Sequence, residues 1–128
     1  VAQRLALLEA DFLEPGFSPP DAPFDAVVSN PPYVRSGDIA ALPPEVRDHD
    51  PREALDGGVD GLDALRRMAS GLPRWLSPGG LLVLEIGADQ ADDAVGLMRP
   101  LAPTARVLPD LAGRPRVLIG RFRGRDAR

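Results

Sequence analysis

Residues 60–86 read DGLDALRRMASGLPRWLSPGGLLVLEI, and this stretch decides the fold. Leu62, Leu65, Ala69, Leu72 and Leu76 recur at steps of three, four, three and four, the spacing of one face of an amphipathic helix. The pattern predicts a helix over Asp60–Trp75, with Pro73 distorting its last turn because the ring removes an amide donor. Ser77-Pro78-Gly79-Gly80 is expected to end it. Leu81–Ile86 then forms a continuous apolar run without alternation, the mark of a strand covered on both faces, as in a parallel sheet. A helix that delivers the chain into such a strand predicts an α/β fold.

Upstream, Phe24–Ser29 (FDAVVS) reads as a second strand with β-branched Val27 and Val28 at its centre. Leu5, Leu7 and Leu8 within Arg4–Ala10 predict a further short buried strand, closed by Asp11. Between these two, residues 12–23 hold four prolines and a glycine and read as loop. From Asn30 to about Gly58 the chain is irregular, with one helical turn near Asp38–Leu42. A span of that length inside a compact domain marks a lid or binding loop. Downstream, Asp89 is expected to cap a second helix running to about Leu101, with Val95, Met98 and Leu101 inward. Arg106–Leu108 and Val117–Phe122 read as two last strands, joined by the turn-rich Pro109–Pro115. Arg121, Arg123, Arg125 and Arg128 make a basic tail, expected to be solvated and frayed. This order predicts a three-layer α/β arrangement around a mostly parallel sheet with an antiparallel edge. Ligands of such sheets bind beyond the carboxyl ends of the strands, where Asp11, Asn30 and Gly87 all lie.

Composition narrows the chemistry. The 128 residues match one domain and contain no Cys, which excludes a disulfide framework, a thiolate nucleophile and a Cys metal site. A single His, His49, argues against zinc and against a His-based triad. The net charge of −4 argues against a free-standing nucleic-acid binder. No apolar run approaches the ~20 residues needed to span a bilayer. The expectation is a soluble, cytoplasmic protein with no stable nucleic-acid partner and no membrane attachment.

The most informative tetrapeptide is Asn30-Pro31-Pro32-Tyr33, directly after an apolar strand, and Asn30 is the only Asn in the chain. The Asn side chain offers one acceptor oxygen and two donor hydrogens. A following Pro pushes its backbone toward extended geometry, aiming the side chain away from the strand end. The Pro31 carbonyl remains free to accept, and Tyr33 can wall a planar group. Two converging acceptors, Asn30 Oδ1 and the Pro31 carbonyl, suit a planar –NH2. An amide or aromatic amine nitrogen is a poor nucleophile because its lone pair is delocalised. Holding both N–H groups orients it and counters the positive charge that grows as it attacks. Asn-Pro-Pro is also a good turn former, and its placement after the strand favours the chemical reading.

Other positions carry less. Asp56–Gly61 lacks the ligand alternation of a calcium loop and reads as a turn before the helix. His49 between Asp48 and Asp50 reads as a solvated loop residue. Glu85 either contacts substrate or cofactor or pairs with an Arg at the sheet edge. Trp75 and Met68 read as core.

Three segments together resemble one family: FDAVVSNPPYVRSGDIAALPPEVRDHDPREALDGGVDGLDALRR, LSPGGLLVLEIG and DLAGRPRVLIGRF. They are similar to release factor glutamine methyltransferases (the HemK/PrmC type), from about Val1 to Phe122. The resemblance implies a Rossmann-like methyltransferase fold and S-adenosylmethionine as methyl donor. The acceptor would be the glutamine of the Gly-Gly-Gln motif of peptide chain release factors. Asn30, Pro31, Pro32 and Tyr33 would hold that glutamine as the catalytic residues. Asp11 and Phe12 would line the cofactor's adenine, with Asn30 near the methyl donor and no metal. The family's glycine-rich cofactor loop and ribose-binding carboxylate lie upstream of its counterpart to Arg4, and no G-x-G-x-G occurs here. Its N-terminal helical domain has no counterpart either. Residues 1–122 are therefore expected to be the C-terminal part of a methyltransferase domain, with 123–128 as basic tail. Such a piece is expected to bind the cofactor weakly and to be inactive alone. Three alternatives stay open: a nucleic-acid N-methyltransferase acting on adenine or guanine amino groups, a ribosomal-protein glutamine methyltransferase, and a non-catalytic remnant serving as a binding module.

Overall fold

The computed structural model describes residues 4–125. Phe24–Ser29 forms strand β1, bounded as the sequence predicts. After it come two 3-10 turns, Ser36–Ala41 and Arg52–Ala54, around the one-turn helix α1 (Pro44–Arg47). The main helix α2 (Asp63–Trp75) leads straight into β2 (Leu76–Glu85). Helix α3 (Ala91–Met98) and strands β3 (Arg106–Pro109) and β4 (Pro115–Arg121) complete the order.

The strands lie in the order β1-β2-β4-β3. β1 and β2 are parallel, and β4 runs antiparallel to both β2 and β3. One of the three pairings is parallel, so the described sheet is mixed rather than mostly parallel. The register rows explain the core. Val27, Leu82 and Gly120 share one row, and Ser29, Leu84, Leu118 and Val107 share the next on the same face. Leu82, Leu84 and Leu118 are buried there against Leu65, Met68, Leu72 and Trp75 of α2 and Ala94 and Met98 of α3. Each such side chain contributes about 1.5–3 kcal/mol relative to full exposure. Gly120 lets the Ala102–Ala105 turn lie close on this row, since a Cβ there would sit 3.1 Å from Ala102 Cβ and 3.2 Å from Ala105 Cα.

The opposite face carries Val28, Val83 and Ile119 in one row, with Val28 74% exposed. Among the described residues α2 and α3 both pack into the one core on the other face, so a third layer is not seen. The uninterrupted run of residues 81–86 thus has one covered and one open face.

Three further expectations are corrected. Arg4–Ala10 is no strand: it has no ladder partner among the described residues, and Leu5, Leu7 and Leu8 are exposed. Backbone donors and acceptors form a strand only when another strand answers them, which apolar spacing cannot supply. Pro73 lies in the last turn of α2, and the Leu76 amide bonds the Leu72 carbonyl. Ser77–Gly80 belongs to β2 as a bulge, two steps along β1 matching five along β2. Gln90, not Asp89, occupies the N-cap of α3, which makes no side-chain capping bond, while Asp89 pairs with Arg35 at 2.7 Å. Of the residues expected inward on α3, Met98 is buried, and Val95 and Leu101 are half-buried.

The tail is anchored as far as it is described. The Arg123 amide bonds the Leu101 carbonyl, Gly124 is buried beside Pro78, and Arg125 Nε donates to the Pro73 carbonyl. Arg128 lies outside the described residues. Met68 and Trp75 are core as expected, and the Trp75 indole donates to the Phe17 carbonyl at 2.9 Å. No described helix is long and apolar enough to cross a membrane.

Candidate functional site

At the carboxyl end of β1 the chain turns through Asn30-Pro31-Pro32-Tyr33. Pro31 is buried, which seats the turn on the sheet end, while Asn30 is exposed and its side chain makes no hydrogen bond to any described residue. Asn30 stands between two hollows. One, of about 660 Å³, is lined by Ala10–Leu13, Asn30, Pro32, Asp56, Asp63 and Arg67, among others. The other, of about 460 Å³, is lined by Asn30, Pro31, Tyr33, Val34 and residues of the loop after it, including Leu42, Val46 and Leu55. The six expected site residues therefore converge: Asp11, Phe12, Asn30 and Pro32 on the first hollow, Asn30, Pro31 and Tyr33 on the second. Asp11 and Phe12 reach it from a turn, with Asp11 Oδ1 accepting the Leu13 amide at 2.9 Å.

The charge of the first hollow is lopsided. Asp11, Glu53, Asp56 and Asp63 line it against a single cation, Arg67. Asp56 and Asp63 are already paired: Asp56 accepts from Ser36 Oγ at 2.6 Å, from the Gly58 amide and from Arg52 Nε at 3.2 Å, and Asp63 pairs with Arg66. The Ser36 hydroxyl and the Gly58 amide hold the Asp56 carboxyl below its usual range. Asp60, hydrogen-bonded by Arg66 and then by the Leu62 amide, is lowered to about 2.

The strap after Asn30 is fastened along its length. The Val34 amide bonds the Leu55 carbonyl, the Gly57 amide returns to the Val34 carbonyl at 2.7 Å, and the Ser36 amide reaches Gly58. The Asp56–Gly61 segment is thus a turn before α2, as expected, and also the partner of this strap, while α2 itself starts at Asp63, three residues later than its apolar spacing predicts. Glycine is needed at Gly61: its φ of +78° suits glycine, and a Cβ would fall 2.6 Å from the Tyr33 carbonyl oxygen.

Two residues at the site, Gln90 and Arg116, escape sequence reasoning, as does the partner of a third, Glu85. Gln90, the one fully buried polar side chain among the described residues, accepts the Gly87 amide at 3.0 Å. Its Nε2 donates to the Tyr33 carbonyl at 3.1 Å and to the Gly61 carbonyl at 3.4 Å. Glu85 accepts the Tyr33 hydroxyl at 3.0 Å, which is neither of the roles weighed for it. Arg116 Nη1 donates to the same Tyr33 oxygen at 3.4 Å while its Nε lies 3.5 Å from Asp110. Burial and then Glu85 push the Tyr33 phenol above its ordinary value, outweighing Arg116. For Glu85 and Gln90 the only available signal was a polar residue ending or following an apolar strand, and Arg116, near the start of β4, carried none. His49 is exposed in the loop.

No family model matches the chain. Among curated proteins it is 50% identical over 103 residues to the release factor glutamine methyltransferase of Rhodospirillum rubrum, covering 79% of this chain and 31% of that protein. It is 47% identical over 124 residues to that of Cereibacter sphaeroides, covering 95% of this chain and 43% of that protein. It is 42% identical over 94 residues to the ribosomal protein uL3 glutamine methyltransferase of Burkholderia pseudomallei, covering 70% and 30% respectively. With most of its length matched at such identity, and while spanning less than half the length of these curated relatives, the chain belongs in one sequence family with the release factor glutamine methyltransferases.

Proposed function

We propose that this chain carries the acceptor site and one wall of the cofactor site of an S-adenosylmethionine-dependent protein-glutamine N-methyltransferase acting on the Gly-Gly-Gln glutamine of release factors in the cytoplasm. The observation that carries this reading is the position of Asn30, a free amide at the seam of two hollows. The residues fit the cofactor: the larger hollow is of ligand size, offers the Phe12 ring, and carries two carboxylates without an ion pair among the described residues, Asp11 and Glu53, against the one guanidinium of Arg67. That imbalance suits a cationic ligand. S-adenosylmethionine, when bound, supplies an electrophilic methyl on a sulfonium, and Asp11 and Phe12 are the residues proposed to line its adenine.

The chain's own residues do the rest. Asn30 Oδ1 and the Pro31 carbonyl accept the two N–H groups of the glutamine amide and orient its nitrogen. Their partial negative charge opposes the positive charge that develops there, in a site already organised. The Tyr33 ring walls the amide plane. No general base is required, because the proton leaves after transfer.

The test is a chimera in which this chain replaces the matching segment of the Rhodospirillum rubrum relative. Radiolabelled methyl transfer to a release factor, to ribosomal protein uL3 and to duplex DNA is then compared. Labelling of the release factor glutamine is expected. Labelling of uL3 alone would move the substrate to the ribosome, in keeping with the Burkholderia relative. Labelling of DNA that falls steeply with salt would overturn the protein-substrate reading.

A further inference from the structure

Tyr33 is the only tyrosine in the chain, and it is gripped at both ends. Its carbonyl accepts from Gln90 Nε2, and its hydroxyl donates to Glu85 while accepting from Arg116. We propose that Glu85 and Arg116 are a pair of positioning residues that clasp the Tyr33 hydroxyl and thereby hold its ring as the wall of the acceptor hollow.

The geometry supports more than packing. A tyrosine hydroxyl has one donor and two acceptor positions. Here the donor goes to a carboxylate from β2 and an acceptor position to a guanidinium from β4. Both strands belong to the sheet core, with Glu85 and Val117 paired across β2 and β4. Arg116 is itself held by Asp110, both side chains only 27% exposed, and Asp110 is fixed by accepting the Ala112 and Arg114 amides. The turn between β3 and β4 is thus tied to the strap that follows Asn30, and a shift of either moves the ring. Glu85, Arg116 and, behind Arg116, Asp110 are the charged groups facing the phenol.

The two clasp residues act on the phenol in opposite senses. A carboxylate acceptor favours the neutral hydroxyl, and a cationic donor favours the phenolate. Because there is one tyrosine, tyrosinate absorbance of the 128-residue chain reads Tyr33 alone. The parent is expected to titrate above the ordinary value of about 10. Glu85→Ala is expected to move the midpoint down and Arg116→Gln to move it up. Glu85→Gln, which retains an acceptor oxygen without charge, should fall between parent and Glu85→Ala. Nitration of Tyr33 by tetranitromethane at mildly alkaline pH follows the phenolate fraction and should rank the variants in the same order, with circular dichroism marking where the fold persists. General loosening of the structure would instead bring every variant toward the ordinary value. A parent that titrates ordinarily, or Glu85→Ala and Arg116→Gln shifting in one direction, would overturn the clasp. The inference rests on the acceptor reading for its purpose, yet this titration needs no methyl donor. Failure of methyl transfer in the chimera sinks that reading alone. In an active chimera, Tyr33→Phe and Glu85→Ala should each raise the substrate KM, and together should cost no more than either one. Additive losses would show that Glu85 acts elsewhere.

Discussion

Two regions border the same hollow and have opposite characters. The strap Asn30–Ser36 is pinned by backbone bonds to Leu55, Gly57 and Gly58 and by side chains from β2, β4 and the N-cap of α3. The segment Arg4–Ala10, which leads into the Asp11 turn, has no ladder, and Leu7 within it is 90% exposed. Both carry apolar residues next to polar ones. The difference is that the strap's backbone groups find partners in the turn before α2 and in the Gln90 side chain, while those of Arg4–Ala10 find none among the described residues. A site that must hold an amide nitrogen to fractions of an ångström can be built only on the first kind of region.

The comparison can be broken most sharply at Asn30. In the chimera, Asn30→Ala should lower methyl transfer by about 10²–10³, the loss typical of one preorganised polar group, with cofactor affinity changed by less than about tenfold. Asn30→Asp should fail too, since it loses the amide donors and adds a charge. Turnover of either variant near that of the parent would remove the acceptor role.

Leucine substitutions sharpen the contrast on the stability side. Leu84→Ala, at a fully buried position beside Leu118, should cost about 2–5 kcal/mol in urea unfolding. Leu7→Ala should fall within about 0.5 kcal/mol of the parent. A large effect at Leu7 would mean that the segment is buried in solution.

Gln90→Leu tests the middle of the range. It leaves the Gly87 amide and the Tyr33 and Gly61 carbonyls without their partner, and should cost about 1–3 kcal/mol. The effect should reach the strap, seen as faster hydrogen exchange at Val34 and Gly57, with Arg4–Ala10 unchanged.

The smallest expected effect is acid sensitivity. Asp60 is lowered from 3.8 to about 2 by Arg66 and the Leu62 amide, so between these values the folded chain binds fewer protons than the unfolded one. Its stabilising contribution is complete above about pH 4 and is lost as pH falls through about 2. Asp60→Asn should flatten the slope of stability against pH in that window and leave neutral-pH tyrosine exposure unchanged. An unchanged slope would show that the Asp60–Arg66 pair is fully screened.

How much of this was legible beforehand depends on range. β1, the periodicity of α2 and the turn at Asp56–Gly61 were readable because each is a short-range pattern with its own steric or hydrophobic cause. The tetrapeptide at residues 30–33 was readable because the fixed φ of two prolines limits what Asn30 can do locally. Glu85, Gln90 and Arg116 were not, since they meet Tyr33 across 52, 57 and 83 residues of chain.

The sequence by itself determined that residues 24–29 and 81–85 are strands, that α2 buries one face, and that a lone asparagine follows a strand end with two prolines behind it. Local sterics and apolar spacing suffice for each. Only the tertiary structure decided which strands pair and in which direction, that the sheet is open on the Val28 face, that Asp89 serves Arg35 rather than a helix cap, and that Tyr33 is clasped. Those outcomes turn on which hydrogen-bonding groups meet when distant segments pack, and a buried donor or acceptor takes the partner that the fold brings within reach.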